Sequence, residues 1–545
     1  MTKQVLLVGA NGAEWPALHR LIDAGSLPSL ALLVEQGTSA TMDAPRLPLP
    51  TLWTSIATGA PASAHGVWSA LEVRPDGGGV QAIGARSWQA APAWQVLAAH
   101  GVATAVIGWP ACAPAEAWPG ITIDERFAGP APLLVEDWPL PPGCISPQRL
   151  RPVLRTLRVY PAELDDETRA ALPAPVLAAT ATVHAAATHI AEREHWQLLA
   201  VHYDLIARCP CDGAYRFFDA MLGRLAALAG AGADVIVVSP QGALIAAGPS
   251  FAPDALAHGV GLMDILPTVL GCFGLALQHA AGKALASARF GPLRLVAVPA
   301  SAPPAPLDPG PPPSEAAAKL IAAVEHEVRV NRAAAALSAG DHAEAARLLT
   351  PAVAQRPNDR RAHFLLAQCW FFLGESRACL EAGRTLSAAE PESPWGEMLI
   401  GAALMQAGEA GAAAPHLAAA ARLAGRDAAA HVRLGAIALH MKDPSLAGSH
   451  YATALEIEPT SPEAEAGLGL ALLAQGDAAG AEARLRASLG RRFHAPALHH
   501  QLGVILARQH RWEEAAASLR IALAQHADLA GAAEFLRQIE AQLHR

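Results

Sequence analysis

No stretch of this sequence runs apolar for the roughly 20 residues that a membrane-spanning helix needs. The most apolar segment, "GVGLMDILPTVLGCFGLAL", is interrupted by Asp264 and Pro267. Basic charge is scarce as well: 40 Lys and Arg stand against 49 Asp and Glu, a net charge of −9. That balance offers no basic footprint for nucleic acid or an anionic membrane surface. The opening "MTKQVLLVGANGAEW" has one Lys, and Asn11, Glu14 and Trp15 arrive before the apolar region of a signal peptide is complete. Cysteine is sparse too. The seven residues Cys112, Cys144, Cys209, Cys211, Cys272, Cys369 and Cys379 are scattered and odd in number, which suits free thiols in a reducing, cytoplasmic compartment.

Small and apolar residues fill the space left by these shortages. The chain is 52% hydrophobic and 16% charged, with 45 Gly and 44 Pro, a globular composition. Its 545 residues exceed the roughly 250–300 that one core organises, so at least two domains are expected. The break is visible in "VPASAPPAPLDPGPPPSEAAA", from Val298, whose prolines forbid helix and central strand and favour a semi-rigid spacer. Residues 1–298 are therefore expected to form one domain, 299–314 a linker and 315–545 a second domain.

After the linker the sequence repeats every 34 residues. Gly340, Gly374, Gly408 and Gly476 lie on one grid, with Lys442 and His510 in the two remaining slots. Ala345, Cys379, Ala413, Ala447, Ala481 and Ala515 lie on a second, and Ala333, Ala367, Gly401, Gly435, Gly469 and Gly503 on a third. Pro357, Pro391 and Pro459 recur at repeat ends. These residues resemble the tetratricopeptide repeat, a helix–turn–helix unit that stacks through small residues. Six repeats span about 326–529, and the tail "GAAEFLRQIEAQLHR" reads as a capping helix. The resemblance implies an all-α superhelix with a concave groove. The register puts Arg361, Phe364, Gln368, Phe371, Trp395, Met398 and Met405 on its inner face, a lining suited to an apolar peptide or helix of a protein partner. The alternative is that these side chains are inter-repeat core or dock on the chain's own first half. The oligomeric state is not legible.

The first half alternates β-rich runs, "QVLLVGA", "VATAVIG", "QLLAVHY" and "DVIVVS", with helical stretches, the signature of an α/β sandwich with a mostly parallel sheet. Ligands in such folds bind at the carboxyl ends of strands. The blocks "LLVGANGAEW", "LPTLWTSIATGAPASAHGV", "IGWPACAPAEAWPG" and "MDILPTVLGCFGL" resemble the type I phosphodiesterase/nucleotide pyrophosphatase branch of the alkaline phosphatase superfamily, and the layout with repeats behind resembles that of bacterial members. The resemblance implies two divalent metals such as zinc, roughly 4 Å apart, clamping the oxygens of a phosphoryl transfer. It also implies a Ser or Thr nucleophile between them.

Carried over position by position, the implied ligands are missing. The first Asp falls on Asn11, the nucleophile on Leu49, an Asp and a His on Ala207 and Cys211, and the Asp-His pair on Pro240 and Gln241. The segment bearing a last His is absent between Gln241 and "GALIAAGP". The expectation is therefore a pseudoenzyme with no metal cofactor, acting as an interaction scaffold through its repeats.

Two alternatives stand beside it: a metal-dependent phosphodiesterase, phosphatase or sulfatase-like hydrolase with unorthodox residues, and an anion or nucleotide sensor. For the first, Thr51 or Thr54 would replace the nucleophile, or Cys209 and Cys211 with His202, Asp204 and Asp212 would form a soft metal site. For the second, the turn amides near Asn11 and Gly12 would hold the anion. His65, His184 and His189 are read as core or surface residues, and "GANG" lacks the spacing of a dinucleotide fingerprint.

Overall fold

In the computed structural model, residues 3–45, 47–129, 138–164, 172–278, 280–285, 287–297, 313–491, 495–525, 529 and 531–543 are described. Residues 299–312 of the expected linker lie outside them. The chain divides into two compact units, Met1–Glu325 and His326–Arg545.

The β-rich runs of the first unit pair because each is apolar on both faces, which only a strand covered on two sides tolerates. Among the described residues they form a nine-stranded sheet. Its order is Ala255–Gly261, Gly37–Asp43, Ala243–Ala247, Asp234–Val238, Val5–Ala10, Leu198–Tyr203, Thr104–Ile107, Ile121–Ile123 and Ile145–Ser146. The four runs read from the sequence are its parallel centre, with Val5–Ala10 paired to both Leu198–Tyr203 and Asp234–Val238. Alternation along the strands builds two cores. Leu6, Val8, Leu199, Val201 and Val235 face the helices Trp15–Asp23, Ala174–Arg193 and Asp212–Ala229. Val5, Leu7, Leu198, Ala200 and Ile236 face the other side, against Leu49–Thr58, Ala93–Ala99 and Ile265–Cys272. That second core holds Trp53, Trp88, Trp94, Trp109 and Trp118, with ring centroids 5.3–5.9 Å apart, edge to face in every pair but the tilted Trp88 and Trp94. The segment around Asp264 is the buried helix Ile265–Cys272, and no single described helix is long and apolar enough to cross a membrane.

The second unit is six helix pairs and a last helix, Ala532–Leu543, among the described residues. The three 34-residue grids have distinct physical roles. Gly340, Gly374, Gly408 and Gly476 all end a first helix in the left-handed region, and Lys442 and His510 take the same conformation with φ of 60° and 61°. Ala345, Cys379, Ala413, Ala447, Ala481 and Ala515 are fully buried. Gly401, Gly435, Gly469 and Gly503 make room for a large residue 16 positions later, Leu417, Tyr451, Leu485 and Leu519. Tyr451 is crowded twice, because a Cβ at Gly467 would lie 2.1 Å from its ring.

Two glycine substitutions separate crowding from strain. Gly374→Ala meets no neighbour within 4 Å and pays only the left-handed backbone, about 1 kcal/mol. Gly467→Ala must displace Tyr451, which overpacks the stack by about 3 kcal/mol. Denaturant melts of the two variants are expected in that order, and equal losses would contradict the packing described.

Candidate functional site

The strand Val5–Ala10 ends at the centre of the sheet in a turn whose form is dictated by close approach. Gly12 has φ of +90°, and a Cβ there would lie 2.5 Å from the amide nitrogen of Ala207. Asn11 closes the turn onto its neighbours. Its amide donates to the Tyr203 carbonyl at 3.0 Å, and its carbonyl accepts from the Ala207 amide at 2.9 Å. Its side chain donates through Nδ2 to Asp204 Oδ1 at 2.5 Å and accepts at Oδ1 from Gln241 Nε2 at 3.1 Å. Gln241 Oε1 in turn accepts from the Gly12 amide and from Ser239 Oγ, both at 2.9 Å. A carboxamide can donate to a carboxylate and accept from an amide at once, which an ionised carboxylate at this position could not.

Beside this network lies a cavity of about 580 Å³, lined among others by Asn11, Leu49, Glu125, His202, Asp204 and Arg208. The structure thus brings Asn11 and Leu49 to one cavity and sets Ala207 and Gln241 against Asn11. Leu49 opens the helix Leu49–Thr58 and is 39% exposed. Pro240 is buried between Ser239 and Gln241. Cys211 is not among the lining residues; it caps the helix Asp212–Ala229 and faces Cys209.

The donor set does not fit the two divalent cations that the resemblance implies. Among the described residues no three His, Cys, Asp or Glu side chains are grouped to hold a metal ion. Asp204 is engaged by Asn11, and Leu49 has no oxygen. His202 is buried edge-on against Trp53 and Trp109 with Nε2 unpartnered, and desolvation lowers its pKa to about 3, so it is neutral. The substitute nucleophiles fare no better. Thr51 and Thr54 are wholly buried, and Thr54 donates back to the Pro50 carbonyl at 2.7 Å. Ser55 sits 2.9 Å from His65 Nε2, but His65 Nδ1 accepts from the Val67 amide, so Nε2 carries the proton and cannot receive one from Ser55. An anion finds no free amides either. Those of Asn11, Gly12, Ala13 and Glu14 donate to Tyr203, Gln241, Ala10 and Tyr215.

Sequence reasoning had placed Asp204 only beside the thiols and had passed over Glu125, Arg208 and Trp53. The signal was available: Asp204 follows "LLAVHY" and Glu125 follows "ITID", both at carboxyl ends of parallel strands. Glu125 accepts from the Cys112 amide at 3.2 Å, and burial, with Asp124 adding, raises its pKa to about 7.

In the second unit a cleft of about 310 Å³ is lined by Phe364, Gln368, Phe371, Trp395, Met398 and Met405. Six of the seven residues placed on the inner face thus share one surface; Arg361 does not line it. Phe364 and Trp395 meet edge to face at 5.2 Å, while Met398 is also inter-repeat core. Phe372, 62% exposed, and Arg433, Ile437 and His440 complete the wall. Adding 34 to Leu399, Ala403 and Gln406 gives the last three.

The family model of type I phosphodiesterase / nucleotide pyrophosphatase matches residues 5–246. Tetratricopeptide repeat models match 336–399, 398–462 and 467–540. No curated protein matches the chain. Among solved structures, an APC/C hetero-tetramer is similar at 18% identity over 39% of this chain, with a TM-score of 0.34. The chain spans 42% of that one's length. A thermophilic tetratricopeptide protein of Thermus thermophilus is similar at 20% identity over 40% of this chain and 99% of its own, with a TM-score of 0.28. YrrB, a repeat protein with an unusual peptide-binding site, gives 18%, 35%, 99% and 0.27.

Glu125 makes the site pH-sensitive in a definite direction. A carboxyl raised from 4.5 to about 7 contributes stability that is complete below pH 4.5 and lost as pH rises through about 7. His65 and His202, lowered from 6.5 to about 4 and about 3, act oppositely, with a share present above pH 6.5 and lost as pH falls. The difference between wild type and Glu125→Gln isolates the carboxyl. The variant's melting temperature is expected to rise relative to wild type as pH climbs from 4.5 past 7, and parallel profiles would contradict the assignment.

Proposed function

Because the chain carries a type I phosphodiesterase/nucleotide pyrophosphatase domain followed by tetratricopeptide repeats, we propose that it is a catalytically silent member of that family, working in the cytoplasm as a protein-interaction scaffold. The observation that carries this reading is the Asn11 network. Where the family chemistry calls for negative charge to hold two cations together, this chain has a neutral amide bonded to Asp204 and Gln241, with Leu49 at the position of the nucleophile. The framework around it, the strand, the Gly12 turn and the helix Leu49–Thr58, is intact. A site that keeps its scaffold and loses its donors is retained for shape.

The test is turnover of an aryl phosphodiester by the purified full chain with zinc or manganese added. No turnover above background is expected, and none that changes in Asn11→Ala. Metal-dependent turnover abolished by Asn11→Ala would establish the competing reading, a hydrolase with unorthodox residues.

The repeat cleft supplies the interaction surface. Its lining is aromatic and aliphatic, and exposed Arg433 on its wall has no ion-pair partner among the described residues. That combination suits an amphipathic helix with an apolar face and a carboxylate beside it. In calorimetric titration of the full chain with model helices of this kind, Trp395→Ala is expected to weaken binding at least tenfold, the loss of a buried aromatic anchor. Arg433→Ala should weaken only the acidic helices. Equal binding of acidic and basic helices would overturn this choice of partner.

A further inference from the structure

Five of the seven cysteines are buried; Cys209 and Cys211 are not. Their sulfurs lie 3.6 Å apart. The segment "CPC" holds them there: the Cys211 amide donates to the Cys209 carbonyl at 2.8 Å, closing a three-residue turn about Pro210, whose ring fixes the central φ. Both flanks are anchored. The Cys209 amide donates to the Leu205 carbonyl at 2.8 Å, ending the helix Leu205–Arg208, and Cys211 is the N-cap of the 18-residue helix Asp212–Ala229. The two thiols are therefore held on one side of a rigid turn, partly open to solvent, with the sulfurs about 1.6 Å further apart than the ~2.05 Å of a disulfide bond. Rotation about the side-chain bonds spans that gap without unfolding either helix.

We propose that Cys209 and Cys211 form a thiol–disulfide exchange site whose co-reactant is a low-molecular-weight disulfide. The thiolate of one cysteine attacks a sulfur of the small disulfide, forming a mixed disulfide and expelling one small thiolate. The second cysteine, deprotonated, then attacks the protein sulfur of that mixed disulfide and expels the other. Two protein thiols are oxidised to one intramolecular disulfide, and their protons leave on two small thiols. Burial raises the Cys209 pKa, and its hydrogen bond and charge interaction with Cys211 raise it further. A disulfide across so short a turn is exposed and easily reduced, the profile of a labile bond and not a structural one. The site stands on the chain independently of the reading of the Asn11 network, although the same loop carries Ala207, whose amide donates to Asn11.

The experiment incubates the full chain with oxidised glutathione, then alkylates free thiols under denaturing conditions and reads the products by mass spectrometry. Loss of two of the seven thiols is expected, as an internal link within the peptide containing residues 209–211, reversed by a small thiol reductant. Cys209→Ser is expected to trap glutathione on Cys211 as a stable mixed disulfide, and the double variant Cys209→Ser/Cys211→Ser to keep its remaining thiols. Seven free thiols in the wild type, a wild-type product that stops at the mixed disulfide, or oxidation that persists in the double variant would each overturn the proposal.

Discussion

The side-chain amide of Asn11 donates to Asp204 and accepts from Gln241, and through those two bonds it joins the carboxyl ends of three adjacent strands. The geometry of the cavity follows from this. The turn can lie against Ala207 only because position 12 has no Cβ, which would fall 2.5 Å from the Ala207 amide nitrogen, and the Gly12 amide is satisfied by Gln241. An aspartate at position 11 would face Asp204 across 2.5 Å with no donor between, a repulsion that a bound cation or a shared proton relieves. The amide solves the same problem without either. It holds the strand ends together by neutral and singly charged hydrogen bonds, and it engages Gln241, whose Oε1 accepts from the Gly12 amide.

The second unit answers a different constraint, the close approach of stacked helices. The 34-residue period matters because three of its positions have no freedom: one must take a left-handed backbone, one must be small and buried, and one must leave space for a side chain 16 residues on. Lys442 and His510 show that the first demand is conformational and not chemical, since both adopt the glycine geometry. The cleft then arises where first helices present Phe364, Phe371 and Trp395 in place of smaller residues.

These two halves differ in how much of them a reader of the sequence can see. The parallel centre of the sheet was visible in four apolar runs, because a strand covered on both faces has a strong compositional mark. The strands one in from each edge, Gly37–Asp43 and Ile121–Ile123, were not: the first is the small and polar run "GTSATMD" and the second has only three residues. Asn11, Leu49, Ala207 and Gln241 could be aligned on the family's blocks, and they lie together; Cys211 aligned equally well but faces Cys209 away from the cavity lining. Asp204 and Glu125 sit at strand ends that the sequence marks, but what each does there depends on three-dimensional neighbours, a side-chain amide 193 residues away in one case and desolvation in the other. In the cleft, the period found the lining on two repeats; carried one repeat further, Trp395, Met398 and Met405 give Ala429, Val432 and Leu439, so Arg433 and His440 lie off that register.

If the Asn11 amide replaces a cation pair, the substitution Asn11→Asp should be unfavourable here, and thermal melts of that variant with and without zinc decide the matter. The account predicts a loss of about 1–3 kcal/mol from the unpaired carboxylates, unchanged by added zinc because Leu49, Ala207 and Gln241 supply no further anionic ligands. A variant as stable as wild type, or one that zinc restores to it, would contradict the account.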